Sequence, residues 1–181
     1  MTPADAHRIL SEADLVYSAA EVASAIERLA TEITARLEDS HPLVLTVMGG
    51  GIVFAGQLLP CLPFPLEVDY LHVTRYGQAT SGGELRWMVE PGNEVAGRVV
   101  LVLDDILDEG VTMAAIKARL MAQGVRECLV AVLSEKETGR AKPVRPEFVG
   151  LRLPNRYVFG CGMDIGGAWR NLPAIYAVKG L

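Results

Sequence analysis

Apolar residues in this chain follow two rhythms. Over residues 18–37, SAAEVASAIERLATEITARL, the positions Val22, Ile26, Leu29, Ile33 and Leu37 recur every three or four residues. That spacing predicts an amphipathic helix, and Ser18 with Glu21 has the spacing of a capping box at its start. Elsewhere the apolar residues come in short runs. PLVLTVM (42–48), LEVDYLHV (66–73), GRVVLVL (97–103) and ECLVAVL (127–133) predict strands, the unbroken ones buried on both faces. ELRWMVE (84–90) alternates, as an outer or edge strand does. IVFAGQLL (52–59), after three glycines, and TMAAIKARLMAQG (112–124), ending at Gly124, predict helices. RYGQATSGGE (75–84) is polar and glycine-bearing, hence a loop. YVFG (157–160) and AIYAVKG (174–180) predict later short strands. Apolar strands alternating with helices predict an α/β fold, doubly wound, with a mostly parallel sheet and helices on both faces.

Length and composition narrow the function classes. With 181 residues, one domain is expected. Half of the residues are apolar and 22% charged, ordinary for a soluble globular chain. A net charge of −5 argues against a general nucleic-acid surface. No apolar stretch reaches membrane-spanning length, and MTPADAHRIL lacks the plan of a signal peptide. Cys61, Cys128 and Cys161 are far apart and odd in number, so no disulfide framework is expected and a cytoplasmic location fits. His7, His41 and His72 form no ligand spacing.

The chemistry concentrates in VVLVLDDILDEGVTM, residues 99–113. An apolar strand runs into Asp104 and Asp105, then Asp108, Glu109, Gly110 and Thr112. In doubly wound sheets ligands sit outside the carboxyl ends of the strands, which is where these acids fall. Paired carboxylates suit vicinal hydroxyls or a hydrated Mg²⁺. A helix start with a glycine and a threonine suits a phosphate. The loop is neither a Walker P-loop nor a GxGxxG turn. Ribose 5-phosphate offers both features. Acids before a helix also serve simply as caps, but here they follow a buried strand and precede a glycine.

VVLVLDDILDEGVTM resembles the phosphoribosyl pyrophosphate-binding signature of type I phosphoribosyltransferases. Four further stretches, VMGGGIVFAGQLL, VTRYG, LSEKETGR and YVFGCGMD…WRNL, extend the resemblance over most of the chain to the hypoxanthine-guanine phosphoribosyltransferase family. The resemblance implies transfer of the phosphoribosyl group to a 6-oxopurine with Mg²⁺, expelling pyrophosphate. It implies ribose hydroxyls and metal at Asp104 and Asp105. Asp108 would be the catalytic group beside purine N7. Asp108, Glu109, Gly110, Val111 and Thr112 would hold the 5′-phosphate. Met48, Gly49, Gly50 and Arg170 would bind pyrophosphate, with a cis peptide at Met48-Gly49. Lys136, Tyr157, Val158 and Asp164 would contact the purine, Asp164 also a second Mg²⁺. Arg75 and Tyr76 would belong to a lid. Trp169 and Ile165 would pack. The core would span approximately 40–140, with the N-terminal segment and approximately 141–181 forming a small hood. A homodimer or homotetramer is expected.

The chain departs from the family pattern at Glu109, where Thr or Ser is common, at Gly49, where Lys or Arg is, and at Arg75, where Ser is. Two other readings stay open. One is a xanthine-preferring transferase. The other is a regulator that keeps the phosphoribosyl pyrophosphate site and binds RNA or DNA, although net charge −5 opposes it.

Overall fold

A computed structural model describes residues 1–75 and 85–180. Most of the stretch read as a lid, Tyr76 included, lies outside the described residues.

The unbroken apolar runs become the centre of a six-stranded sheet. Its strands are β2 (Leu43–Met48), β3 (Glu67–Arg75), β4 (Leu85–Val89), β5 (Val99–Leu107), β6 (Glu127–Lys136) and β7 (Phe148–Leu153). They lie in the order β4-β3-β2-β5-β6-β7. All neighbours are parallel except β4, which runs antiparallel to β3 at the edge, as its alternating sequence predicts. β5 is longer than its apolar run. It continues through Asp104 and Asp105 to Leu107, with Asp104 opposite Val132 and Leu107 opposite Glu135 on β6.

Side chains alternate across the sheet, and a helix layer covers each face. Leu101, Leu103, Leu129, Ala131 and Leu133 share one core with α2 (Ala19–Leu37) and α3 (Gly51–Leu58). Val100, Val102, Cys128, Val130 and Val132 face the other way, against α4 (Val111–Ala122). The five periodic residues of α2 are all buried. Its capping box forms as the spacing predicts: Ser18 Oγ accepts from the Glu21 amide at 3.3 Å, and Glu21 Oε2 accepts from the Ser18 amide at 2.8 Å.

The described chain contains two elements beyond those predicted near its start: α1 (Pro3–Glu12) and β1 (Asp14–Tyr17). β1 pairs with β9 (Ile175–Ala177), which pairs with β8 (Val158–Phe159), giving a small antiparallel sheet of order β1-β9-β8. The main sheet meanwhile runs on past residue 140, because β7 extends it beside β6. Gly150 allows that close approach: a Cβ there would lie 2.4 Å from the Leu133 carbonyl oxygen. Outside the six-stranded sheet and its helices lie α1, β1 and the chain beyond β7.

Leu29 has no exposed surface, whereas Met121 on the outside of α4 is 48% exposed. Leu29→Ala should cost about 2–5 kcal/mol through lost contacts and a cavity. Met121→Ala should stay within about 0.5 kcal/mol. Urea unfolding of the two variants checks this; equal losses would contradict the burial assigned to α2.

Candidate active site

Strand order reverses between β2 and β5. From β2 the chain moves outward to β3 and β4, then returns to the other side of β2 at β5. The loops leaving the carboxyl ends of these two strands therefore diverge and leave a crevice, the usual ligand position in such sheets. The loop after β2 is Met48-Gly49-Gly50-Gly51, with a cis peptide bond at Met48-Gly49. The loop after β5 carries Asp108, Glu109 and Gly110 into α4.

Packing explains two of the three glycines after β2. A Cβ on Gly50 would lie 1.8 Å from Asp105 Oδ2, and one on Gly51 would lie 3.0 Å from the Leu103 carbonyl oxygen. Gly49 faces open space. Gly162, from the chain beyond β8, meets the same point: its Cβ would lie 2.3 Å from the Gly50 carbonyl oxygen and 2.9 Å from Asp105 Cβ. Its φ of +104° independently favours glycine. Two distant chain segments thus converge on Asp105.

The acids themselves are held out of water. Asp105 is 7% exposed and Asp104 is half-buried. Burial pushes the Asp104 carboxyl well above the ordinary carboxylate range, and the Asp105 charge beside it adds to the rise. Burial also raises Asp105, opposed by hydrogen bonds from Asp104 and the backbone and by the Arg170 guanidinium. Ser134 Oγ donates to the Asp105 carbonyl oxygen at 2.9 Å and fixes the backbone between the acids and β6.

Beyond the acids lies a cleft of about 860 Å³, lined by residues 104–113 together with Lys136, Arg140, Lys142 and Asn155. Gly110 caps α4 in the left-handed conformation, φ +79°, and no side chain caps the helix. A helix start of this kind offers backbone N–H groups and a positive dipole end to an anion. Across the cleft, Lys136 Nζ donates to Asp108 Oδ2 at 2.6 Å. The lysine side chain is 13% exposed and the aspartate 48%.

The remaining predicted residues gather at β8, just before it and in the loop that follows it. Arg170 pairs with Asp164 at 2.5 Å and donates to the Gly162 carbonyl oxygen at 2.6 Å. Asp164 also accepts from the Gly167 amide at 2.7 Å. Tyr157 is 48% exposed, its hydroxyl 3.3 Å from the Asp164 carbonyl oxygen. Val158 is buried in β8. Trp169 packs edge-on against His7 and donates from Nε1 to the Ala6 carbonyl oxygen at 2.8 Å, tying α1 to this loop. Among the described residues no three His, Cys, Asp or Glu side chains form a group that could hold a metal ion by themselves. Cys161 beside Gly162 is buried, which pushes its thiol up to about 11 and leaves it a poor nucleophile.

The geometry adds two functional candidates to those read from sequence. Arg156 pairs with Asp14 at 2.7 Å and donates to the Val178 carbonyl oxygen at 2.8 Å, joining β1 to the chain after β9. Lys142, 9% exposed at its side chain, reaches the ends of both β5 and β6. Local sequence carries no signal for either: the partners of Arg156 lie far along the chain, and two of the acceptors of Lys142 are backbone carbonyls at strand ends. α1 did carry one: Thr2, Pro3 and Asp5 form a capping box with proline in the first turn.

This architecture and these loops recur in known proteins. The phosphoribosyl transferase domain family matches residues 13–165. The hypoxanthine-guanine phosphoribosyltransferase of Bacillus subtilis is 30% identical over 166 residues, 91% of this chain and 92% of that protein. The hypoxanthine-guanine-xanthine phosphoribosyltransferase of Tritrichomonas foetus is 33% identical over 166 residues, 91% of each. A crystal structure of a hypoxanthine phosphoribosyltransferase from Staphylococcus aureus superposes with a TM-score of 0.89 over 95% of both chains, at 21% identity, and so shares the fold. With the buried acids at the switch point and the glycine loop facing them, these matches place the chain in the phosphoribosyl transferase domain family, alongside the hypoxanthine-guanine phosphoribosyltransferases.

Proposed function

We propose that this enzyme serves purine salvage by moving the 5-phosphoribosyl group from phosphoribosyl pyrophosphate to hypoxanthine or guanine. The products are IMP or GMP and pyrophosphate. The observation that carries this reading is the Lys136–Asp108 pair, 2.6 Å apart at the mouth of the cleft. It sets a donor that cannot accept beside a carboxylate that can take a proton. A 6-oxopurine needs both: a donor for its oxo group, and an acceptor for its imidazole proton as N9 attacks ribose C1. The surrounding residues suit the other substrate. Asp104 and Asp105 would accept from the ribose hydroxyls. The backbone of Asp108 to Thr112, at the start of α4, would hold the 5′-phosphate. Arg170 would reach the pyrophosphate with a fork of donors. Tyr157 would stack on the base, with the Val158 backbone and Asp164 at its edge. Arg75 and Tyr76 belong to the segment we assign as the lid. The three-stranded sheet with α1 would form the hood over the base, the whole chain acting as one domain.

Asp104 and Asp105 also fit Mg²⁺. They are hard oxygen donors whose ionisation burial opposes, and a cation relieves that cost. Mg²⁺ keeps several waters and takes only one or two carboxylates beside substrate phosphates, so two acids suffice. We assign Asp164 to a second ion. When bound, Mg²⁺ supplies positive charge to the leaving pyrophosphate. The protein's own residues orient the ribose and exclude water.

A second reading is favoured by one observation: the Tritrichomonas foetus relative, 33% identical, is named for xanthine as well. Both readings keep Lys136 at the 6-oxo group and differ only at the base 2-position. A nucleic-acid-binding regulator on the same fold is the weaker alternative, given a net charge of −5. Among the described residues no helix is long and apolar enough to cross a membrane. The free thiols of Cys61, Cys128 and Cys161 support a cytoplasmic location. We also infer self-association as a dimer or tetramer. It is supported by Ile52, Val68, Tyr70 and Val89, between 37% and 53% exposed, which leave apolar surface around α3 and β3.

Steady-state assays of hypoxanthine, guanine, xanthine and adenine test the assignment. Adenine presents an NH₂ group to the Lys136 donor, and should be used at least about 10⁴-fold less well. Lys136→Met should lose 6-oxopurine use preferentially. Asp108→Asn should lower kcat by roughly 10²–10⁴-fold while leaving the KM for phosphoribosyl pyrophosphate nearly unchanged. Comparable rates with adenine and hypoxanthine would refute the role of Lys136. A loss confined to phosphoribosyl pyrophosphate affinity would make Asp108 a loop cap.

The raised Asp104 carboxyl makes a separate prediction about stability. Its ionisation is opposed in the folded state, so it lowers stability as pH climbs above the unfolded value near 3.9. Asp104→Asn removes that cost and can still accept the Asp105 amide at Oδ1. The variant should melt higher than the native enzyme at pH 7, and the gap should close near pH 4. Adding Mg²⁺ with phosphoribosyl pyrophosphate should raise the native melting temperature more than the variant's. A variant that melts lower at pH 7 would count against the strain assigned to the acids.

Sedimentation velocity tests the association surface. Tyr70→Arg should shift the enzyme toward monomer while the native chain stays dimeric or larger. A native monomer at micromolar concentration would overturn the inference.

A further inference from the structure

Lys142 takes no part in the chemistry proposed above, yet it is one of the most buried cations in the described chain, with 9% of its side chain exposed. Burying an ammonium costs several kcal/mol unless its donors are all used. Here three acceptors surround it. Nζ donates to the Lys136 carbonyl oxygen at 2.7 Å, to the Leu107 carbonyl oxygen at 3.0 Å and to Glu135 Oε1 at 3.1 Å. Glu135 is held in turn by Arg152 on β7.

The position of these acceptors gives the contact its meaning. The β5–β6 ladder ends at the pair Leu107 and Glu135. Lys142 bridges the two strands just where backbone pairing stops. Leu107 immediately precedes Asp108, and Lys136 is the other member of the cleft pair. The stem of Lys142 continues to Gly110: a Cβ on that glycine would lie 3.4 Å from Lys142 Cβ, beside Pro143 Cδ at 3.5 Å and Val144 Cγ1 at 3.3 Å. One side chain therefore touches the start of the phosphate loop, its left-handed glycine and the strand end that carries Lys136.

We propose that Lys142 is a positioning residue, a clamp that fixes the 107–112 loop against the end of β6 and so sets Asp108 and Lys136 in register with each other. This rests on the transferase reading above. Without the clamp, the loop and Lys136 would still be present but free to move apart. A misplacement of about 1 Å in a catalytic constellation costs on the order of 10²-fold in rate.

Lys142→Met keeps the stem against Gly110 and removes the ammonium. Its expected effect is a fall in kcat/KM of about 10²-fold, with higher KM for both phosphoribosyl pyrophosphate and purine. A residue serving stability alone would lower the melting temperature and leave both KM values in place. Glu135→Gln is the second variant, since it keeps Lys142 and weakens only one of its three contacts. It should shift the same constants in the same direction by a smaller factor. GMP binding by titration calorimetry gives a readout independent of turnover, and should weaken about tenfold in Lys142→Met. Folded Lys142→Met with native kinetics and native GMP affinity would overturn the proposal. If Lys142→Met does not fold, native constants in Glu135→Gln would overturn it. Failure of the transferase reading looks different: the native enzyme itself would release no pyrophosphate from phosphoribosyl pyrophosphate and any purine.

Discussion

The architecture depends on the burial of two adjacent carboxylates at the end of β5. Water would solvate Asp104 and Asp105 far better than this site does, and both carboxyls are raised for that reason. The protein accepts the cost because three segments close on them. The glycine loop after β2 leaves no room for a Cβ at Gly50, Gly162 leaves none on the other side, and Ser134 fixes the backbone behind. Most of the site's shape follows from this. The acids lie at the strand-order reversal, the loop into α4 begins three residues later, and the Lys136 strand lies directly alongside.

Such a centre is electrostatically unfinished. It concentrates negative charge where the proposed substrate would bring hydroxyls and a metal-bound pyrophosphate, and on that reading substrate and metal would complete it. Arg170 partly offsets the charge but is itself engaged by Asp164 and Gly162. Stability and reactivity pull in opposite directions at Asp104, as is common at sites that hold charge out of water.

Much of this was legible in the sequence, and the exceptions have physical reasons. α2 was legible because its buried stripe and capping box are both local patterns. The central strands were legible because strands covered on both faces read as unbroken apolar runs. The acidic loop was legible because it follows such a run. β7 was harder: Arg152 and Gly150 interrupt FVGLRL, and what makes it a strand is a distant neighbour, β6. The small sheet was harder still, since β1 and β9 meet across almost the whole chain. Lys142 was invisible for a different reason. Its value lies in which carbonyls it reaches, and no spacing rule records that. α1 was available through Thr2, Pro3 and Asp5, but its weak apolar pattern leaves Ala6 as its one buried residue.

The pairing of β1 with β9 has a consequence for how the enzyme comes into being. β1 precedes every strand of the central sheet in the chain, and its partner is the last described strand. The central sheet can assemble while synthesis is still under way, since β2 to β7 all precede residue 154. The pairing of β1 must wait until Ile175–Ala177 arrive. A product interrupted before β9 would therefore hold Asp104, Asp105 and the 107–112 loop but lack the closing strand. The three-stranded sheet therefore closes only after β9 has followed every strand of the central sheet, and that sequence of events is built into the order in which the strands appear.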